Sequence, residues 1–161
     1  MIQGSPKRQR GDRPGWGVDT ILPYRRIPSL GRKAMQPPGY LFFGALLAAL
    51  AVGLGALGAH ALKAQLSAEQ LTTYQTAVQY QMYHALGLVL VGLLGMSHRS
   101  PWLDGAGWAM LIGIFLFSGF LYGWLATGLR FFVYPVPVGG VAFILGWLAL
   151  AVGAFGFWGR N

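Results

Sequence analysis

Few side chains in this sequence can do chemistry, and most gather toward one end of the apolar segments that carry them. His60, Glu69, Tyr80, His84, Ser118, Tyr122 and Arg130 form that set. Two imidazoles can relay a proton or contribute to a metal site. A carboxylate can serve as a base, and a guanidinium can clamp an anion. Two His without Cys or a nearby pair of carboxylates make a poor metal set, however. The chain has 0 Cys, which also removes thiolate ligands, Cys nucleophiles and disulfides. Glu69 and Asp104 are the carboxylates after residue 39 and lie toward opposite ends of the predicted helices. They cannot act as a paired acid and base. Walker A, HExxH and GxSxG sequences are all missing. No cofactor and no metal is expected, and the residues disfavour an enzyme.

The elements that must position these groups follow from composition. Of 161 residues, 55% are hydrophobic and 10% charged, against about 25% charged in a soluble domain. Asp, Glu, Lys and Arg are missing from 34–62, 70–98, 105–129 and 131–159. A spanning helix needs about 20 apolar residues, so each stretch suits one crossing and is too short for two. The alternating pattern of a membrane β-barrel does not occur. The fold expected is an all-α, integral membrane four-helix bundle over residues 40–161, with helix cores at 40–62, 78–96, 105–129 and 137–158.

Local signals set the ends of these helices. Pro37-Pro38-Gly39 stops the first from running backward. Ser67-Ala68-Glu69-Gln70 reads as a capping box, so the second helix begins before the apolar segment does. Ser100-Pro101 separates helices two and three, and Pro135 and Pro137 suit the entry of helix four. Of the 25 glycines, 19 follow residue 39. In lipid, small residues let helix backbones approach. Gly55, Gly119, Gly123, Gly139, Gly140 and Gly146 are the expected packing positions.

Residues 1–39 are a different polymer. They hold eight Lys and Arg against Asp12 and Asp19, a net +6, and lack a sustained apolar period. Such a segment is expected to be a disordered basic tail. It can attract nucleic acid or anionic lipid. The stronger reading is that it fixes orientation by keeping positive charge inside. The expected partner is therefore membrane lipid and not nucleic acid, with protein partners and homo-oligomers left open. Met35, just before the first apolar run, offers an alternative start that would make the tail an artefact. Arg25-Arg26 followed by Ala59-His60-Ala61 mimics a secretory signal. Its apolar run is too long for one, and three more spanning segments follow.

With the tail inside, alternating crossings put both termini in the cytoplasm, and the seven polar residues named above at the outer end. A short loop after His60 makes helices one and two antiparallel neighbours. His60 and His84 are then expected at similar depth, with Tyr80 a turn away and Arg130 arriving at the end of helix three. Thr76, Tyr80 and His84 are spaced as one stripe, and so are Ser118 and Tyr122. Each also has a plainer role: His60 and His84 bonded to carbonyls, Arg130 snorkelling or paired with Glu69, Ser118 and Tyr122 joining helices.

Four separated motifs carry a family resemblance. They are Gly55-Ala56-Leu57-Gly58-Ala59-His60-Ala61-Leu62, residues 74–86 (YQTAVQYQMYHAL), Phe117-Ser118-Gly119-Phe120-Leu121-Tyr122 and residues 137–147 (PVGGVAFILGW). In this order they resemble the YgdD-like family of small inner-membrane proteins, domain of unknown function family 423, across residues 39–158. The resemblance implies a four-helix membrane protein. It marks His60, Tyr80, His84, Ser118, Tyr122, Gly139 and Gly140 as motif positions without roles, and supplies no reaction. The function expected is that of a structural or accessory membrane component. A small transporter or channel with a polar site at the outer ends of helices one to three is the alternative, and a lipid- or metal-directed enzyme a third class. Deleting residues 1–34 is expected to leave the bundle folded, since the tail offers no apolar face. Thermal unfolding of the truncated chain in detergent checks this, and a large drop in midpoint would contradict it.

Overall fold

A computed structural model describes residues 37–156. The basic tail and the alternative start at Met35 lie outside these residues, except for Pro37-Pro38-Gly39. Among the described residues, four helices are long and apolar enough to cross a membrane. Helix α1 is Pro37–His60 and α2 is Ala68–Ser97. Helix α3 is Pro101–Thr127, and α4 is Val136–Phe155. Short 3-10 turns at Leu62–Ala64 and Arg130–Val133 lead into α2 and α4.

The helix ends have local causes. The capping box at Ser67 forms in both directions: Gln70 N–H donates to Ser67 Oγ at 3.2 Å, and Ser67 N–H donates to Gln70 Oε1 at 3.0 Å. Ser100 caps α3 through a bond from Trp102 N–H, with Pro101 in the first turn. Gly128 ends α3 at φ 71°, a left-handed conformation that glycine adopts without strain. The first helix starts at Pro37, so the proline pair opens it instead of preceding it. The fourth starts one residue before the expected position. Helix α3 also contains a π-helical stretch, Ile114–Gly119, that the sequence did not announce.

Helix α1 lies chiefly along α2, and α4 along α3. The core between them holds Tyr40, Leu88, Val91, Leu103, Ala106, Met110, Ile114, Phe143 and Leu150. Glycine decides how closely the backbones approach. A Cβ on Gly44 would lie 2.8 Å from Ala85 O and Val89 N, and one on Gly92 would lie 2.7 Å from Leu41 N. Two glycines, one on each helix, thus set the α1–α2 spacing. On α4, a Cβ at Gly139 would lie 2.6 Å from Phe117 N, and one at Gly146 would meet Met110 Cγ at 3.1 Å. Gly123 faces the ring of Phe132. Gly55, Gly119 and Gly140 have only ordinary contacts at 3.6 Å or more, so three of the six expected packing glycines are not close-approach points.

Gly44→Ala and Gly92→Ala are expected to destabilise the bundle by about 1–3 kcal/mol each, because backbone must move. Gly53→Ala, with nothing within 4 Å of the new Cβ, is expected to be neutral or slightly stabilising. Thermal unfolding in detergent separates the two classes.

Candidate functional site

Helix α2 carries most of the polar side chains, and its rotation decides which go inside. Tyr74, Ala77, Gln81, His84, Ala85 and Leu88 are buried, while Thr72, Gln75, Gln79, Tyr80 and Tyr83 are exposed. The stripe expected through Thr76, Tyr80 and His84 does not hold. Residues four apart drift by roughly 40° per step on a helix of 3.6 residues per turn. Tyr80 is therefore left 39% exposed while His84 is buried at 5%.

Inside, each polar group reaches another helix or its own backbone. Tyr74 OH donates to Leu54 O at 2.7 Å. Gln81 Nε2 donates to Leu47 O at 2.9 Å, and Tyr122 OH donates to Gln81 Oε1 at 3.1 Å. Ser118 Oγ, on the π-helical stretch, donates to Ala77 O at 2.8 Å. The rings of Tyr74 and Tyr122 lie 5.6 Å apart. Tyr74, Gln81, Ser118 and Tyr122 thus join α1, α2 and α3. Among the described residues no buried side-chain N or O lacks a partner.

His84 occupies an aromatic slot beside this network. Its Nδ1 lies 2.6 Å from Tyr80 O, and because a carbonyl only accepts, Nδ1 carries the proton. Its ring lies nearly parallel to Phe143, with centroids 3.3 Å apart and planes at 11°. Tyr80 covers it on another side at 5.9 Å and stacks on Phe117 at 4.7 Å.

The expected cluster of seven does not assemble. His60, Glu69 and Arg130 are exposed. His60 ends α1, Glu69 lies in the first turn of α2, and Arg130 opens the turn after α3. No ion pair joins Glu69 to Arg130 among the described residues. Depth separates His60 from His84. Tyr74 packs against Gly58, Gln81 reaches Leu47, and Ala85 faces Gly44. His84 is therefore level with residues 44–47 of α1, about 20 Å along the axis from His60. The pairs that do meet are Tyr80 with His84 and, through Gln81, Tyr122 with α2. Gln81 was not among the expected site residues. A helical stripe drawn from Tyr74 through Ala77 to Gln81 would have found it.

The fold and this interior define a polytopic α-helical membrane protein whose buried polar side chains are bonded internally. The family described as Protein of unknown function (DUF423) matches residues 54–140. The chain is 44% identical over 116 residues to a UPF0382 membrane protein of Staphylococcus saprophyticus, covering 72% of this chain and 96% of that one. It is 44% identical over 117 residues to the UPF0382 membrane protein YwdK of Bacillus subtilis, covering 71% and 94%. A relative in Staphylococcus haemolyticus is 40% identical over 120 residues, 74% of this chain and 98% of its own. No solved structure matches. The chain belongs to this DUF423 family of membrane proteins, whose activity is uncharacterised.

Gln81→Leu is expected to cost about 1–2 kcal/mol, and Tyr122→Phe less. The double variant should cost less than the sum, since the two side chains share a bond. His60→Ala should be silent, and its effect should add strictly to that of His84→Ala. Thermal unfolding of the singles and doubles in detergent reads all of these.

Proposed function

We propose that this chain is a non-enzymatic structural or accessory component of the cytoplasmic membrane, with both termini on the cytoplasmic side. The observation that carries this reading is the consumption of the interior polar groups. Tyr74, Gln81 and Ser118 are each spent on a main-chain carbonyl of a neighbouring helix. A substrate or ion would have to displace such bonds to find a partner. The orientation rests on the eight basic residues before Ala34 and the positive-inside tendency. The short-loop charges alone, Lys63 and Arg130 against Arg99 and Arg160, give a tie.

The depth of His84 favours transport as a second reading. An ionisable side chain well inside a membrane defaults to a functional hypothesis, and His84 lies mid-helix, not at an end. Its fixed Nδ1 and its stacking on Phe143 favour a packing role instead. Purified protein in liposomes discriminates the two. The structural reading expects no proton or ion flux above that of empty vesicles, and flux abolished by His84→Ala would replace it with the second.

Activity reporters fused after Asn161 are expected to report a cytoplasmic C-terminus, and a periplasmic readout would reverse the topology. Purification in mild detergent, with identification of bound proteins and lipids, tests the accessory role directly.

A further inference from the structure

The outward face of α2 carries an amide, Gln79, inside the apolar span, where lipid offers it no hydrogen-bonding partner. Gln75 and Gln79 are exposed, and their side chains bond to no other described residue. Depth follows from the neighbouring contacts. Tyr74 reaches Leu54 O and Gln81 reaches Leu47 O, so Gln79 is level with the residues between them on α1. Val78 faces Gly55, so that level lies inside residues 41–59, a run without one polar side chain, nearer its C-terminal end than its middle. The threonines nearby are already satisfied within their own helix. Thr72 donates to Ala68 O, Thr73 to Glu69 O and Thr76 to Thr72 O. The glutamines are different: an amide has two N–H donors and a carbonyl acceptor to fill.

The same face forms one seam, polar in its first turns and apolar beyond them. Thr72, Thr76, Gln79, Tyr83, Leu86, Leu90 and Leu93 follow one another at alternating spacings of three and four. Tyr83, Leu86, Leu90 and Leu93 are 54%, 50%, 46% and 49% exposed. This is the a/d spacing of a coiled-coil seam, and a polar residue at such a position can set register.

We infer that α2 pairs with α2 of a second copy of this chain, with Gln79 against Gln79 across a two-fold axis along the membrane normal. Two features select a second copy over another partner. Chains inserted with one topology have parallel α2 helices, so a two-fold axis brings each residue to its own equivalent. An amide is self-complementary, the N–H of one Gln79 donating to the carbonyl of the other. The seam of Leu86, Leu90 and Leu93 then packs below, and the Tyr83 hydroxyl gains the amide as a neighbour. The inference needs only the membrane fold and not the function proposed above.

The chain has 0 Cys, so single cysteines report contact cleanly. In native membranes of the full chain, Thr76→Cys, Tyr83→Cys, Leu86→Cys and Leu90→Cys are expected to form oxidant-induced dimers. Ile112→Cys on α3 and Leu145→Cys on α4, both exposed, are expected to form few. Separately, Gln79→Leu should weaken self-association in detergent roughly tenfold, while Gln79→Asn retains most of it. Circular dichroism and thermal unfolding confirm that each variant is folded. Seam cysteines that cross-link no better than the controls would overturn the pairing, as would a folded Gln79→Leu chain that self-associates as strongly as the parent. Capture of a different protein at the seam cysteines, with no homodimer, would also overturn it.

Discussion

Hydrocarbon offers no hydrogen bonds, and the rest of this structure depends on that constraint. Helices answer it for the backbone, since each spans with its own N–H and C=O groups paired. The side chains answer it by borrowing from a neighbouring backbone. Tyr74 bonds to the carbonyl of Leu54, Gln81 to that of Leu47, Ser118 to that of Ala77 and Tyr40 to that of Asp104. A helical carbonyl keeps a second lone pair after its own ladder bond. It can therefore accept one more donor wherever another helix comes close enough. Closeness is what Gly44 and Gly92 provide between α1 and α2. The glycines and the polar side chains are two halves of one device: without the approach, the donors would have nothing within reach.

The π-helical stretch fits the same scheme. A π-helical turn widens α3 locally and rotates the turns beyond it. Ser118 lies within the stretch and is fully buried, aimed at Ala77 of α2. Tyr122, one turn further on, reaches Gln81. Helix α4 lies against the same segment, with Gly139 at the backbone of Phe117 and Phe143 against Gly113. Four helices therefore meet near the polar pair Gln81 and Ser118. The aromatic stack of Tyr80, His84, Phe117 and Phe143 fills the adjoining space.

Helix number and most helix ends, though not the start of α1 at Pro37, were legible because their causes are local. Charge-free runs of sufficient length leave only spanning helices, and Ser67 with Gln70, or Ser100 with Pro101, act within one turn. The depth of His84 was not legible, because it depends on how far α2 slides along α1. That register is set by close contacts such as Gly58 against Tyr74, which spacing along one chain does not contain. The facing of Tyr80 was lost to the drift of i, i+4 positions around a long helix. Gln81 was hidden because glutamines at 75, 79 and 81 look alike in sequence, and only the packing of α1 and α3 separates them. Gly119, expected as a packing position, meets nothing closer than 3.8 Å. Helix α4 approaches α3 at Gly139 and Gly146, two of the expected positions.

The three glutamines show what a polar residue in a membrane helix can and cannot reveal. Gln81 is buried and has both ends of its amide bonded, so removing it would strand Tyr122 and open the joint between α1 and α3. Gln75 and Gln79 lie on the opposite face with neither end bonded. Gln79 and Gln81 share residue type and lie only about 3 Å apart along the axis, so orientation is what separates them. A satisfied amide costs the folded chain little and fixes its geometry. An unsatisfied one in lipid is a standing cost that a neighbour can remove. The inward face of α2 is therefore committed to holding this bundle together, and its outward face retains free hydrogen-bonding capacity.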